Sequence, residues 1–432
     1  SSDPRGRPAG VVEGACGRGR RARGMTVVQT APAVRRDGVV RAAEIGELTL
    51  ESGFRLPDVR LAYETWGELA PDGSNAVLVE HALTGDSHAA RGTAVGYGDT
   101  APFDMNGHRV AADTGGWWDG LIGPGAAIDT TRWFVVCANI LGGCHGSTGP
   151  ASLAPDAAPW GSRFPRITVR DTVAAEARLA DRLGIRRWRL VVGGSMGGAR
   201  ALEWAVCHPE RVAACAVIAA NARVSAEQLA WGRTQALAIR QDPHFRGGDY
   251  YGGPHPAEGL GLARRIAHIT YRSAHELAVR FGREAQDGSA SGDDAGIADA
   301  TGPRGGWGDA RPHRTVDRGR YRVESYLDHQ AVKLAARFDA NAYLSVNETL
   351  MSHDVARCRG SLRQALARTS CDWLVAAVDS DRLFPPEESA ELAAALPGEH
   401  EVHTITSPSG HDGFLLETPQ VGRLLRATVL RD

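Results

Sequence analysis

Leu190-Val191-Val192-Gly193-Gly194-Ser195-Met196-Gly197-Gly198 carries an apolar run directly into Gly-x-Ser-x-Gly. Residues 188–192 are short, apolar and rich in β-formers, and read as a buried strand. Residues 199–206 read as a helix, with Ala201 and Ala205 small enough to pack close on a sheet. A serine at the apex of such a strand-to-helix turn has the form of a nucleophile elbow. The serine there is held in strained backbone geometry, so its neighbours must be small. Gly194 and Gly197 meet that need, and Gly193 and Gly198 relieve crowding further. The N–H of Met196 would point at an oxygen beside Ser195 where negative charge develops, with the helix N-terminus adding a favourable dipole. The plain alternative is a Gly-rich turn with an incidental serine; the strand before and the helix after favour the elbow.

A serine nucleophile needs a base, and the base an orienting carboxylate. On α/β-hydrolase sheets these follow in the order Ser, Asp/Glu, His. Residues 373–378 give a second buried-strand signal that ends in Asp379-Ser380-Asp381-Arg382-Leu383-Phe384. Asp379 and Asp381 compete for the acid, and one of them could be a simple helix N-cap. Residues 403–405 read as a last strand, followed by Ser409-Gly410-His411-Asp412-Gly413-Phe414. His411 fits the base, against the alternative of a solvent-exposed loop histidine among fifteen in the chain. A second oxyanion donor is expected from the loop after an early strand, residues 76–79, which runs into Glu80-His81-Ala82-Leu83-Thr84-Gly85-Asp86-Ser87-His88. His81 and His88 have no Cys or acid partner at metal-site spacing, so no metal is expected.

Several longer motifs stand in the same chain: His81-Ala82-Leu83-Thr84-Gly85, Gly116-Trp117-Trp118-Asp119-Gly120-Leu121-Ile122-Gly123-Pro124-Gly125, Asn139-Ile140-Leu141-Gly142-Gly143-Cys144, Gly146-Ser147-Thr148-Gly149-Pro150 and Gly410-His411-Asp412-Gly413-Phe414. Together with the elbow they resemble the homoserine O-acetyltransferases of methionine biosynthesis, over roughly residues 40–430. The resemblance implies an α/β-hydrolase fold. It implies acetyl transfer from acetyl-CoA, a co-substrate rather than a bound cofactor, to the hydroxyl of L-homoserine by a ping-pong route. It makes Ser195 the nucleophile and His411 the base, prefers Asp381 to Asp379, and makes the N–H groups of Leu83 and Met196 the oxyanion donors. It has Arg264 grip the homoserine carboxylate, Tyr271 help place it, and Asp412 contact the amine. A guanidinium suits a carboxylate because two parallel hydrogen bonds form; without the resemblance, Arg264 would read as an ordinary surface arginine. The segment 223–235 matches the family only loosely. Relatives use succinyl-CoA or acylate serine; the histidine loop and Met196 lean toward acetyl. A plain esterase or thioesterase would share the triad and lack Arg264, Tyr271 and Asp412. A homodimer is also implied by the resemblance.

The bulk properties suit a soluble enzyme. At 432 residues the chain can bury a large core. A net charge of −2 gives no general pull toward nucleic acid, and no apolar run is long enough for a membrane span. Seven scattered cysteines argue against a disulfide framework and for a reducing cytoplasm, with Cys144 a packing residue. Lys333 is the single lysine. A Walker A loop is therefore excluded, and the Val332-Lys333-Leu334 context gives no sign of Schiff-base chemistry. The expected architecture is a mostly parallel α/β sheet with helices on both faces, covering 40–220 and 356–432. A helical lid over 221–355, with helices at 266–282 and 321–339, caps the strand ends. Residues 1–39 read as an irregular extension whose Gly/Arg-rich first 24 residues precede Met25, a natural start; the bias of 286–318 toward Gly, Asp, Ala and Arg reads as a disordered insertion.

Overall fold

Short apolar strands buried on both faces form the centre of one eight-stranded sheet, with the longer, partly exposed first strand at one edge and the second beside it. In chain order the strands are β1 (Arg41–Thr49), β2 (Arg55–Trp66), β3 (Ala76–Glu80), β4 (Phe134–Ala138), β5 (Leu190–Gly194), β6 (Ala214–Ile218), β7 (Asp372–Val378) and β8 (Val402–Ile405). The computed structural model describes residues 37–92, 114–284 and 320–431. The first 36 residues of the expected N-terminal extension and the 286–318 insertion lie outside them. The spatial order is β1-β2-β4-β3-β5-β6-β7-β8, with only β2 running against its neighbours. Every residue of β3, β5 and β6 is buried, as a parallel sheet covered on both faces requires. Trp188, expected in the central strand, contributes only an isolated bridge to Val212.

The faces are covered by α1 (Val169–Arg182) and α2 (Met196–Cys207), and later by elements that follow β7 and β8. Thr168 and Asp171 close a reciprocal capping box that starts α1. Helix α2 approaches the sheet closely. A Cβ on Gly193 would lie 2.3 Å from the backbone of Gly197, and one on Gly197 would lie 2.1 Å from Glu80 O. Glycine at both positions permits the crossing.

Between β6 and β7 the chain forms α3 (Ala226–Arg240), α4 (Ala257–Tyr271), α5 (Ala274–Phe281), α6 (Arg322–Ala335) and α7 (Ala340–Met351). The single helix expected over 266–282 is two. Arg272 is extended (φ −93°, ψ 142°), and the Ser273 hydroxyl accepts the Glu276 N–H to start α5. Ser273 also donates to Pro408 O, tying the break to the loop of His411. The helix expected over 321–339 ends at Ala335, and Asp339 caps α7 by accepting the Ala342 N–H. Among the described residues no helix is long and apolar enough to cross a membrane.

Candidate active site

Four strand ends converge at the carboxyl edge of the sheet, where ligand sites of open α/β folds gather. From β5 the chain turns into α2 through Ser195, at φ 58° and ψ −127°. A non-glycine residue in that region is strained and persists only where its surroundings dictate it. The Ser195 N–H is held by Ile218 O at 3.0 Å, and Ser195 O accepts the Gly198 N–H at 2.9 Å. Ser195 is buried and opens into a cavity of about 40 Å³ lined by Leu83, Gln228, Trp231, Tyr271 and Phe384, among others. Leu83 and Met196 are buried as well, and neither N–H makes a hydrogen bond to a described residue. Buried backbone donors are rarely left so, and two of them in the lining and turn around one serine have the chemistry to receive a negatively charged oxygen.

The loop after β7 separates the two aspartates. Asp381 Oδ1 accepts the N–H groups of Leu383 and Phe384, both at 2.9 Å, and Oδ2 faces His411 Nδ1 at 2.6 Å. Asp379 instead accepts the Ser407 N–H at 3.0 Å, stays exposed, and serves the loop. The His411 ring stacks on Phe384 at 4.9 Å and lies 5.9 Å from Tyr271, two walls of the Ser195 cavity. Burial lowers the His411 pKa, but the Asp381 charge and hydrogen bond, with Asp412, outweigh it and leave a net upward shift. A histidine so held keeps its proton on Nδ1 and offers Nε2 as an acceptor.

Opposite charges flank this histidine. Arg264, on α4, donates to Thr84 Oγ1 at 3.3 Å, and its guanidinium lies 5.7 Å from the Tyr271 ring centre; its Nε is buried without a partner. Asp412 pairs with Arg272 at 3.1 Å. Burial pushes the Asp412 carboxyl up, while Arg272, His411 and Arg264 pull it back. Arg272 was not singled out from the sequence. It also binds Glu276 at 2.9 Å and the Tyr326 hydroxyl at 3.2 Å. Its signal was available in Ser273-x-x-Glu276, a capping pattern that ends the preceding helix at Arg272.

Two further groups brace the oxyanion loop. His81 Nε2 accepts the Ile140 N–H at 3.0 Å, so Nδ1 carries the proton and donates to Ala82 O at 2.7 Å. Burial and the Arg200 charge lower its pKa to about 3, keeping it neutral. Arg200, fully buried on α2, ion-pairs with Glu80 and Glu176 and donates to His81 O at 3.4 Å. Burial, together with the neighbouring Glu176, holds the Glu80 carboxyl well above the usual range despite Arg200. His88 pairs with buried Glu64 at 2.7 Å, and that pairing overcomes burial to raise its pKa to about 9. Among the described residues no group of three His, Cys, Asp or Glu side chains could hold a metal. Cys144 packs under the Asp339 N–H, and burial pushes its thiol up to about 12.

Comparison with known proteins bears on this geometry. Residues 75–418 match the family model of the alpha/beta hydrolase fold. The chain is 52% identical over 389 residues to a homoserine O-acetyltransferase of Thermobifida fusca, covering 89% of this chain and 92% of that protein. It is 48% identical over 394 residues to one of Nocardia farcinica, covering 91% and 93%. The crystal structure of homoserine O-acetyltransferase from Bacillus anthracis superposes with a TM-score of 0.76 at 26% identity, covering 91% of this chain and 98% of that one.

Proposed function

The chain belongs to the homoserine O-acetyltransferases of the α/β-hydrolase fold, and from that membership we infer that it moves acetyl from acetyl-CoA to the hydroxyl of L-homoserine, a step of methionine biosynthesis. Ser195 is the nucleophile, His411 the general base and Asp381 its orienting acid. Ser195 Oγ attacks the thioester carbonyl as His411 Nε2 takes its proton. The N–H groups of Leu83 and Met196 hold the tetrahedral oxyanion. Collapse breaks the C–S bond, His411 returns the proton to the thiolate, and CoA leaves an acetyl ester on Ser195. The homoserine hydroxyl then gives its proton to His411 and attacks that ester. The second collapse breaks the Ser195 ester bond, and the proton returns to Ser195 Oγ. Two modest barriers replace one high barrier.

The observation that carries the reading is the pair of opposite charges beside one histidine. Arg264 lies over the Tyr271 ring that neighbours His411 and acts on Asp412, the residue next to His411, and a zwitterionic amino acid presents a carboxylate and an ammonium together. Tyr271 supports Arg264 from below. An esterase would need neither charge. The test mixes enzyme with acetyl-CoA and follows thiol release with and without L-homoserine. Sustained release is expected only with homoserine, and mass spectrometry is expected to find acetyl on Ser195 in its absence. Equal sustained release without homoserine would overturn transferase activity. Parallel arms with succinyl-CoA and with L-serine are expected to be at least tenfold slower.

A further inference from the structure

The lone lysine of the sequence lies in a second, larger cavity, of which the reaction above uses Arg264 alone. This cavity, about 460 Å³, is lined by Ala82, Thr84, Asp86 and Trp117 on one side and by Arg264, Lys333 and Arg337 on the other. It shares a wall with the Ser195 cavity. Leu83 faces the serine while its neighbours Ala82 and Thr84 face the larger space, and Arg264 lies over the Tyr271 ring that lines the smaller one.

The charge in this cavity is unbalanced. The Lys333 and Arg337 side chains make no hydrogen bond or ion pair with any described residue, and the Arg337 guanidinium lies 6.0 Å from the Phe338 ring centre. Arg337 is half-buried and feels Asp86, the one carboxylate among the described lining residues, without reaching ion-pair contact. His88, which also lines the cavity, is balanced by Glu64. Among the described lining residues, Arg264, Lys333 and Arg337 therefore face one carboxylate across a space wider than a single carboxylate ligand requires. Holding like charges together without counter-ions is unfavourable, and a polyanionic ligand relieves it.

We propose that this cavity receives the phosphate groups of the acyl-CoA donor, with Lys333 and Arg337 as their binding residues. The proposal rests on the donor assigned above. The helix pair gives the geometry. Helices α4 and α6 pack with Gly261 against Ala331, Arg265 on Asp328 and His268 on the Tyr326 hydroxyl. Tyr326 is thus at the Tyr271 and Arg272 end, and Lys333 is two turns away, about 10 Å along α6. Lysine, a compact charge on a flexible stem with three donors, suits a phosphate that arrives and leaves each turnover.

The test compares two donors on the full chain: acetyl-CoA and S-acetylpantetheine, which carries the same thioester and no phosphate. Lys333 is exposed, so Lys333→Ala and Lys333→Glu are expected to fold; Arg337→Gln is the second site. Losing a charge-assisted hydrogen bond to phosphate is expected to raise KM for acetyl-CoA about tenfold or more, with the larger effect for Lys333→Glu. Calorimetric affinity for desulfo-CoA is expected to fall in parallel. kcat/KM for S-acetylpantetheine and KM for homoserine should stay within about twofold. Equal losses with both donors, a rise confined to homoserine KM, or no change with either donor would each overturn the proposal. The desulfo-CoA titration requires no turnover. If the parent enzyme proved unable to form acetyl-Ser195, the function assigned above would fall, while unchanged desulfo-CoA affinity in Lys333→Glu would separately overturn this site.

Discussion

Replacing Asp381 by asparagine removes a charge while keeping nearly the same shape, and the structure dictates which way the new amide faces. Oδ1 accepts two backbone N–H groups, from Leu383 and Phe384, each at 2.9 Å. An amide NH2 turned toward them would set donors against donors and leave both buried N–H groups unsatisfied, at roughly 1–3 kcal/mol each. The amide oxygen therefore keeps that side, and its NH2 faces His411 Nδ1, 2.6 Å from the present oxygen. Nδ1 must then accept, so the ring proton moves to Nε2, the nitrogen that has to receive the Ser195 proton. An imidazole in the wrong tautomer costs a serine triad about 10⁴-fold, about 5.5 kcal/mol of barrier. Asp381→Asn is expected to lose about that much kcat/KM in thiol release from acetyl-CoA, with an unchanged circular-dichroism spectrum. Asp379→Asn, which keeps an oxygen to accept the Ser407 N–H and loses only a charge outside the triad, is expected to stay within about twofold. The pH profile gives a second reading. The base must be neutral, and the upward shift of His411 moves the acidic limb of the parent above the ordinary histidine range. Without the Asp381 charge that limb should move to lower pH. More than a tenth of parental activity in Asp381→Asn, equal losses in the two variants, or an unmoved acidic limb would refute the reasoning.

Arg272→Met removes the cation that opposes protonation of Asp412. Homoserine KM is expected to rise about tenfold while burst formation of acetyl-Ser195 stays within about twofold; a collapse of the burst itself would refute the division of roles. Arg200→Met leaves Glu80 and Glu176 buried without their cation and should destabilise the fold by about 3–5 kcal/mol. The Glu80 carboxyl, whose folded pKa is raised, destabilises the fold as pH rises through it, so the deficit should shrink as pH falls, which thermal melts at several pH values would measure. Gly197→Ala forces a Cβ to within 2.1 Å of Glu80 O, a backbone atom that cannot yield, and should abolish activity or soluble expression. Gly184→Ala has nothing within 4 Å and carries only the strain of φ 74°, so it should keep full activity with a modest loss in melting temperature.

The elbow was legible because its determinants are local: an apolar strand, four glycines and a serine within nine residues. The choice between Asp379 and Asp381 was not local. Both follow the end of β7, and only the turn that presents the N–H groups of Leu383 and Phe384 to Asp381 fixes which carboxylate meets His411. Residue types could not decide it; resemblance to a family could. The break at Arg272 was hidden because the apolar spacing of residues 266–282 continues across it, and hydrophobic period outweighed the weaker capping signal at Ser273. Arg200 was missed for a different reason. A charged residue inside a helix ordinarily faces water. Its burial depends on Glu80 and Glu176, from β3 and α1, meeting it at one point.

A triad with an oxyanion hole hydrolyses esters as readily as it transfers acyl groups, so selectivity for an acceptor has to come from what surrounds it. The cavity over Ser195 is small, about 40 Å³, and Trp231, Leu350, Met351, Leu383 and Phe384 supply much of its wall. The amides that also line it are already engaged. Gln228 donates to Leu383 O at 2.7 Å, Gln235 accepts from the Tyr343 hydroxyl at 2.8 Å, and Asn347 donates to Gly232 O at 3.0 Å. A water molecule entering there finds few partners, and an ordered water usually needs two to four. A zwitterionic acceptor has no such difficulty if its charged ends rest on Arg264 and Asp412, because its hydroxyl is then carried into the apolar space by bonds made outside it. Positioning of this kind raises the effective concentration of that hydroxyl by orders of magnitude over a freely diffusing competitor. On this reasoning, water loses because the site withholds hydrogen-bond partners where the ester stands and supplies charge only where an amino acid can use it. The ion pair of Asp412 with Arg272 belongs to the same arrangement, since it opposes the upward pull of burial on the carboxyl that an ammonium would meet.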